Sequence, residues 1–211
     1  QRRARILKPA TFLLDRVAID LGERLSAVLR KFDVVVDLGT PSDAVRRVLA
    51  ANKNIGTVVA VGPNGDDGRM HVAADEEALP FAEGSLDLLV SALALQFVND
   101  LPGALIQIRR ALKPDGLLLA ALIGGDSLIE LRSAFAAAES EMEDGASPRV
   151  APFADIRELG GLLQRAGFAL PVVDSERVTV RYDSALALMH DLRRMGATNI
   201  LHERLRTRPT R

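Results

Sequence analysis

Ten consecutive residues, Val34-Val35-Val36-Asp37-Leu38-Gly39-Thr40-Pro41-Ser42-Asp43, constrain this chain more than any other stretch. A short apolar run ending in Asp-x-Gly suits a buried parallel strand that opens into a helix. In an open α/β sheet that strand exit is where a nucleotide-like ligand binds. A turn of this kind normally continues Gly-x-Gly, and here Pro41 and Asp43 hold those two positions. Pro41 hinders close approach of the backbone to a ligand, and Asp43 puts a negative charge at the start of the next helix. Fold and function must therefore be read separately.

The rest of the chain repeats the strand-then-helix alternation. Leu13, Leu14, Val17, Leu21, Leu25, Val28 and Leu29 recur at helical spacing and predict an amphipathic helix leading into the first strand. Ser42 can cap a helix carrying Val45, Val48 and Leu49, and Gly56 precedes a second strand over 57–61. The stretch 62–68, Gly-Pro-Asn-Gly-Asp-Asp-Gly, is the most loop-like in the chain. Short apolar runs predict strands over 70–74, 86–91 and 116–123, and a helix over 99–112 with Asp100 or Asn99 as cap, Pro102 in its first turn and Lys113-Pro114-Asp115-Gly116 as its stop. Such alternation implies parallel βαβ units with right-handed crossovers. Beyond residue 125 the pattern predicts helices over 126–143, 155–166 and 184–195, and an antiparallel strand over 177–182, where Val178, Val180 and Tyr182 alternate with Arg177, Thr179 and Arg181.

Bulk composition excludes several classes. At 211 residues and 48% hydrophobic content, the chain can bury one well-cored domain plus an appendage. Its 27 basic and 28 acidic residues leave a net charge of -1, so nothing general attracts it to nucleic acid or an anionic membrane. With no cysteine, disulfides, thiolate metal sites and a cysteine nucleophile are all absent, which fits a reducing cytoplasm. No apolar run approaches the ~20 residues of a transmembrane segment. The first residues, Gln1-Arg2-Arg3-Ala4-Arg5, read as the trimmed start of a longer chain, and the basic tail with Arg204, Arg206, Arg208 and Arg211 reads as cut short.

Asp37 and Gly39 at the first strand's exit, Ala74-Asp75-Glu76-Glu77-Ala78-Leu79-Pro80-Phe81 after the third, Ser85-Leu86-Asp87-Leu88-Leu89-Val90-Ser91 and Leu112-Lys113-Pro114-Asp115-Gly116 together resemble the class I S-adenosylmethionine-dependent methyltransferases over residues 33–182. The resemblance implies a Rossmann-like fold: a mostly parallel seven-stranded sheet with a final antiparallel hairpin and helical additions. The implied domains are an N-terminal helical lead over 1–32, a methyltransferase-like domain over 33–182 with a helical insertion near 126–167, and a C-terminal helix and basic tail over 183–211. Four further segments are similar to the mitochondrial complex I assembly factor 5 group and its bacterial relatives: 96–102, 124–132, 147–153 and 195–199. That likeness implies either methyl transfer to an unidentified acceptor or a part in maturing complex I, as a hydroxylase of a subunit arginine or as a non-catalytic binding protein. It implies a complex I subunit as partner and a bacterial cytoplasm or mitochondrial matrix as location.

On this resemblance Asp37, Gly39, Asp75 and Glu76 would hold S-adenosylmethionine, and Gln96, Gly125 and Asp126 would face the acceptor. The acid that would bind the ribose hydroxyls at the end of strand two is replaced by Gly62. Plainer readings stand beside these. Asp37 can cap its turn, Asp75 can be a solvated loop acid, Phe97 can be core, and Gly124-Gly125-Asp126 can be a hinge with Asp126 as a helix cap. His71, His190 and His202 have no metal-ligand spacing, and no general base is identifiable.

Overall fold

The computed structural model describes residues 9–63, 70–142, 149–199 and 201. The first five residues, most of the 62–68 loop, Ser147, Pro148, His202 and the four tail arginines lie outside the described residues. Helix α1 (Phe12–Ser26) leads into β1 (Phe32–Leu38), followed by α2 (Ala44–Ala51), β2 (Ile55–Gly62), β3 (His71–Ala73) and β4 (Leu86–Ala92). A 3₁₀ turn at Leu95–Phe97 precedes α3 (Leu101–Ala111) and β5 (Leu112–Ala121), and then come α4 (Ile129–Met142), α5 (Ile156–Arg165) and α6 (Ala185–Arg194). None of the described helices is long and apolar enough to cross a membrane.

The five strands lie in the order β3-β2-β1-β4-β5, every neighbouring pair parallel. Alternation along the strands feeds two cores. Val35, Leu88 and Val90 face one way, onto Leu14, Leu21 and Leu25 of α1 and Val45 and Leu49 of α2. Val36, Leu38 and Leu89 face the other, onto Leu105 and Ile108 of α3, with Leu162 and Leu163 of α5 packed against them. Gly22 lets the first two helices meet closely, since a Cβ there would come within 2.2 Å of Val48 Cγ1.

Asp100 caps α3 by accepting the Gly103 N–H at 2.9 Å, and the helix stops at Ala111, as the Pro-Asp-Gly stop requires. The Lys113 to Gly116 stretch also ties strands together. Asp87 accepts the Val34 N–H of β1 at 2.9 Å and the Lys113 ammonium through both oxygens at 2.9 Å. Burial alone would raise this carboxyl; the Val34 N–H and Lys113 together hold it below the usual carboxylate range.

Four expectations are corrected. The sheet has five strands rather than seven, and no antiparallel hairpin forms among the described residues. Residues 177–182 form no strand: alternation specifies two faces, but a strand also needs a neighbour for its ladder bonds, and none of the described residues supplies one. Helix α1 ends at Ser26, leaving Leu29 92% exposed, so helical spacing ran past the true end. Finally, α4 begins at Ile129, so Asp126 is no helix cap; its carbonyl closes the turn that precedes the helix by accepting the Ile129 N–H.

The described residues divide into two compact units. One takes in Thr11–Ile123 and Ile156–Asp174; the other takes in the described parts of Gln1–Ala10, Gly124–Asp155 and Ser175–Arg211. In the second unit Arg149 pairs with Glu139, a nearly buried acid of α4, and Arg132 donates to the Ala151 carbonyl at 3.4 Å. These contacts hold the 149–153 segment along α4.

Candidate cofactor cleft at the ends of β1 and β4

From β1 the chain proceeds outward to β2 and β3, then returns to the other side of β1 with β4 and β5. The crevice between β1 and β4 is therefore the switch point of the sheet, where open α/β folds take ligands. The two strands are locked there by the fully buried Ser91, whose hydroxyl donates to the Leu38 carbonyl at 2.9 Å.

Asp37 stands at this point with 2% of its surface exposed. A hydrogen bond with the Thr40 side chain engages it, yet its Oδ1 is buried with no hydrogen-bond partner. Burial pushes the carboxyl up to about 7, against the opposing pull of the Thr40 bond and the Arg46 charge. An acceptor left in this state costs free energy unless a ligand supplies a donor.

Gly39 takes a left-handed φ of +70°, and its N–H donates to the Val61 carbonyl at 2.7 Å. A Cβ at this residue would lie 2.6 Å from Glu76 Oε1 and 2.8 Å from the Ala94 Cβ. Backbone geometry and close approach thus both require glycine. Glu76 arrives from the loop after β3, and burial, with the charges of Asp75 and Glu77 adding to it, raises its carboxyl.

The other two acids of that loop are engaged locally. Asp75 is exposed, and its Oδ1 accepts the Glu77 N–H at 2.9 Å in an Asx-type turn. Glu77 Oε1 accepts the N–H groups of Asn99 and Asp100, while Gln107 of α3 donates to the Glu77 carbonyl at 2.7 Å and accepts the Leu79 N–H at 3.0 Å. Glu77 and Gln107 therefore fasten the loop to α3. Sequence reasoning missed both, because their partners are 22 to 30 residues away.

Gln96 donates from Nε2 to the Leu93 carbonyl at 2.8 Å, and its Oε1 is buried with no partner. A carbonyl accepts only from a donor, so this contact fixes which end of the amide is nitrogen. Leu93 itself has a φ of +53°, an uncommon value for a bulky residue and one that marks strain beside the β4 exit. Phe97 is half-buried in the same turn.

Asp37, Gly39, Asp75, Glu76 and Gln96 all belong to the sheet unit, and Gly39 and Glu76 are in direct contact. Gly125 and Asp126 belong to the other unit. There Asp126 is exposed and stands 3.6 Å from Arg177, an ion pair of little energetic weight. A Cβ on Gly125 would make ordinary contact with Asp155, so packing does not demand glycine there. Gly62, where the ribose-binding acid was expected, has no left-handed φ, and none of the described residues comes within 4 Å of its Cβ direction. Of the histidines, His71 lies in β3 and His190 is exposed on α6; among the described residues no group of three His, Cys, Asp or Glu could hold a metal ion.

Comparison with known proteins decides the family, because the methyltransferase domain matches residues 11–171. The chain belongs to the class I methyltransferase family. Within it the chain lies near arginine-hydroxylase NDUFAF5, mitochondrial, being 39% identical to the Mus musculus protein over 196 residues, which cover 89% of this chain and 57% of that one. It is 48% identical to the malonyl-[acyl-carrier protein] O-methyltransferase of Laribacter hongkongensis over 128 residues, which cover 61% of this chain and 41% of that one. This methyltransferase-family chain thus spans about half the length of these two relatives. Among solved structures, a SAM-dependent methyltransferase from Thermotoga maritima superposes with a TM-score of 0.53 at 21% identity, covering 76% of this chain and 75% of that one. At that identity the likeness speaks for the fold alone.

Proposed function

We propose that this family member binds S-adenosylmethionine at the β1/β4 switch point and is part of an enzyme that transfers its methyl group. The observation that carries this reading is Asp37 Oδ1, a buried carboxylate oxygen with no partner at the strand exit where such folds take ligands. The ammonium of the ligand's amino-acid part is a donor and a cation, which is what an orphaned, desolvated carboxylate calls for. Thr40 holds Asp37 in place, Gly39 allows backbone approach, and Asp75 and Glu76 line the nucleoside side. S-adenosylmethionine supplies an electrophilic methyl group when bound. The chain's own contribution is positioning and exclusion of water: Gln96 Oε1 offers an acceptor to an incoming N–H or O–H, with Asp126 and Gly125 proposed as further acceptor-facing residues.

A second reading has its own support. The likeness to the arginine-hydroxylase relative runs over 89% of the chain, against 61% for the O-methyltransferase, so it extends past the cofactor-binding strands. On this reading the protein serves complex I maturation in a mitochondrial matrix or bacterial cytoplasm, with a complex I subunit as partner and no nucleic acid involved. Titration calorimetry with S-adenosylmethionine and S-adenosylhomocysteine tests the first reading: the wild type should bind and Asp37→Ala should not, with its melt unchanged or raised. In a strain lacking the gene, a cofactor-dependent enzyme requires that Asp37→Ala and Asp126→Ala both fail to restore complex I. Failure of Asp126→Ala alone favours a binding protein, and normal complex I in the deletion strain removes the partner assignment.

A further inference from the structure

The end of β2 lacks its acid, yet the cleft does not lack a carboxylate. A nucleotide-binding α/β turn usually places an acid some ~20 residues beyond the glycine turn, where it takes hydrogen bonds from the ribose hydroxyls. In this chain that position is Gly62. The strand order is β3-β2-β1, and Gly62 stands level with Ala73 of β3, one residue beyond Val61, the partner of Leu38 in β1. A carboxylate that starts after β3 and reaches the β1 turn must be carried over the exit of β2, and since a glutamate side chain spans only ~5 Å of the two strand spacings, about 10 Å, the loop backbone makes the rest of the crossing. Glu76 does so: its Oε1 lies 2.6 Å and its Cγ 3.2 Å from where a Gly39 Cβ would stand.

Resting on the S-adenosylmethionine reading above, we infer that Glu76 supplies, from the β3 loop, the ribose-binding carboxylate that Gly62 cannot. Three observations single it out. Of the acids in the loop, Asp75 already accepts the Glu77 N–H and Glu77 already accepts from Asn99 and Asp100. Among the described residues Glu76 turns back only onto its own backbone N–H, which leaves lone pairs for two hydroxyl donors of a vicinal diol. None of the described residues fills the space beside Gly62, where the ordinary acid would project. Asp37, buried with an unpartnered Oδ1 two residues before Gly39, is an independent sign that this turn awaits a donor-bearing ligand. Burial and two flanking like charges raise the Glu76 carboxyl, a cost that hydroxyl donors would relieve.

The test is calorimetric titration of the full chain with S-adenosylhomocysteine and with its 2′,3′-dideoxyribose analogue. Glu76→Gln should weaken S-adenosylhomocysteine by roughly 10-fold to 150-fold, the value of a hydrogen bond to a charged group, and leave the dideoxy analogue unchanged. Restoring an acid at the usual position, Gly62→Asp, should recover affinity in the Glu76→Gln background and gain less in the wild type, where a carboxylate is already present. Thermal melts of each variant identify any that fail to fold; should Glu76→Gln be one of them, Gly62→Asp in the otherwise wild-type chain decides, a gain for S-adenosylhomocysteine of less than roughly 10-fold supporting a carboxylate already in place and a larger one overturning it. Unchanged or tighter binding by Glu76→Gln overturns the ribose role and leaves the cofactor reading intact, the tighter result meaning that the side chain obstructs the turn. Equal gains from Gly62→Asp in both backgrounds also overturn it. Absence of binding by the wild type and by Gly62→Asp overturns both.

Discussion

Replacing Asp37 with asparagine keeps the shape of the side chain and removes its titration, so it isolates what the buried carboxyl does to the fold. The folded-state value of about 7 against an ordinary 3.8 means that the native protein holds a proton the unfolded chain has released throughout that window. The contribution of Asp37 to stability must then be greatest below the unfolded value and must fall as pH rises through 7. The whole displacement is worth about 4 kcal/mol, and roughly 3 kcal/mol of it falls between pH 5 and 8. Asparagine can keep the exchange with Thr40, because a hydroxyl both donates and accepts. At pH 8, Asp37→Asn should therefore be more stable than the wild type by about 4 kcal/mol and at pH 5 by about 1 to 2 kcal/mol, the two coinciding only below the unfolded value. Urea unfolding at half-unit steps measures this as the difference between the proteins, in which every other titrating group cancels. A difference that does not change with pH refutes the reasoning, since it would mean that Asp37 titrates like an exposed carboxylate. Saturating S-adenosylmethionine should shrink the gap at pH 8, because an ammonium beside Asp37 favours its charged form.

Other substitutions separate fold from site. Gly39→Ala should cost about 2 to 4 kcal/mol in urea unfolding, since the left-handed backbone costs ~1–2 kcal/mol and the collision with Glu76 and Ala94 adds overpacking. Asp87→Ala should cost about 1 to 3 kcal/mol by stranding the Val34 N–H, with cofactor affinity unchanged; the stability Asp87 contributes should be present at neutral pH and lost as acid protonates it. Gly22→Ala should destabilise through its contact with Val48, and adding Val48→Ala should recover most of the loss in the same melt. Gly125→Ala should leave stability within about 0.5 kcal/mol, so any loss of function in that variant reports a ligand or partner rather than folding.

How much of this was legible in the chain follows from the range of each signal. The parallel strands showed because burial on both faces writes an unbroken apolar run, as in Val34-Val35-Val36 and Leu88-Leu89-Val90. The α3 cap and stop showed because Asp100 and the Pro-Asp-Gly turn act within a few residues. Residues 177–182 misled because alternation names faces and not partners. Asp87 and Glu77 were passed over as anchors because what they hold, the N–H groups of Val34 and Asn99, comes from other elements of the sheet unit. The contact of Glu76 with Gly39 belongs to the same kind, since nothing in a run of three acids says which one crosses β2. The cofactor turn carries the sharpest lesson. Its lost glycines, at 41 and 43, stand where no left-handed φ is adopted, whereas the retained Gly39 has one and faces two contacts that exclude a side chain. What the strand-to-helix turn needs in order to fold has been kept, and what has changed is the surface a ligand would meet. On the proposed cofactor reading, the substitutions at 41 and 43 should therefore lower affinity before they lower stability, because the backbone of the turn is retained.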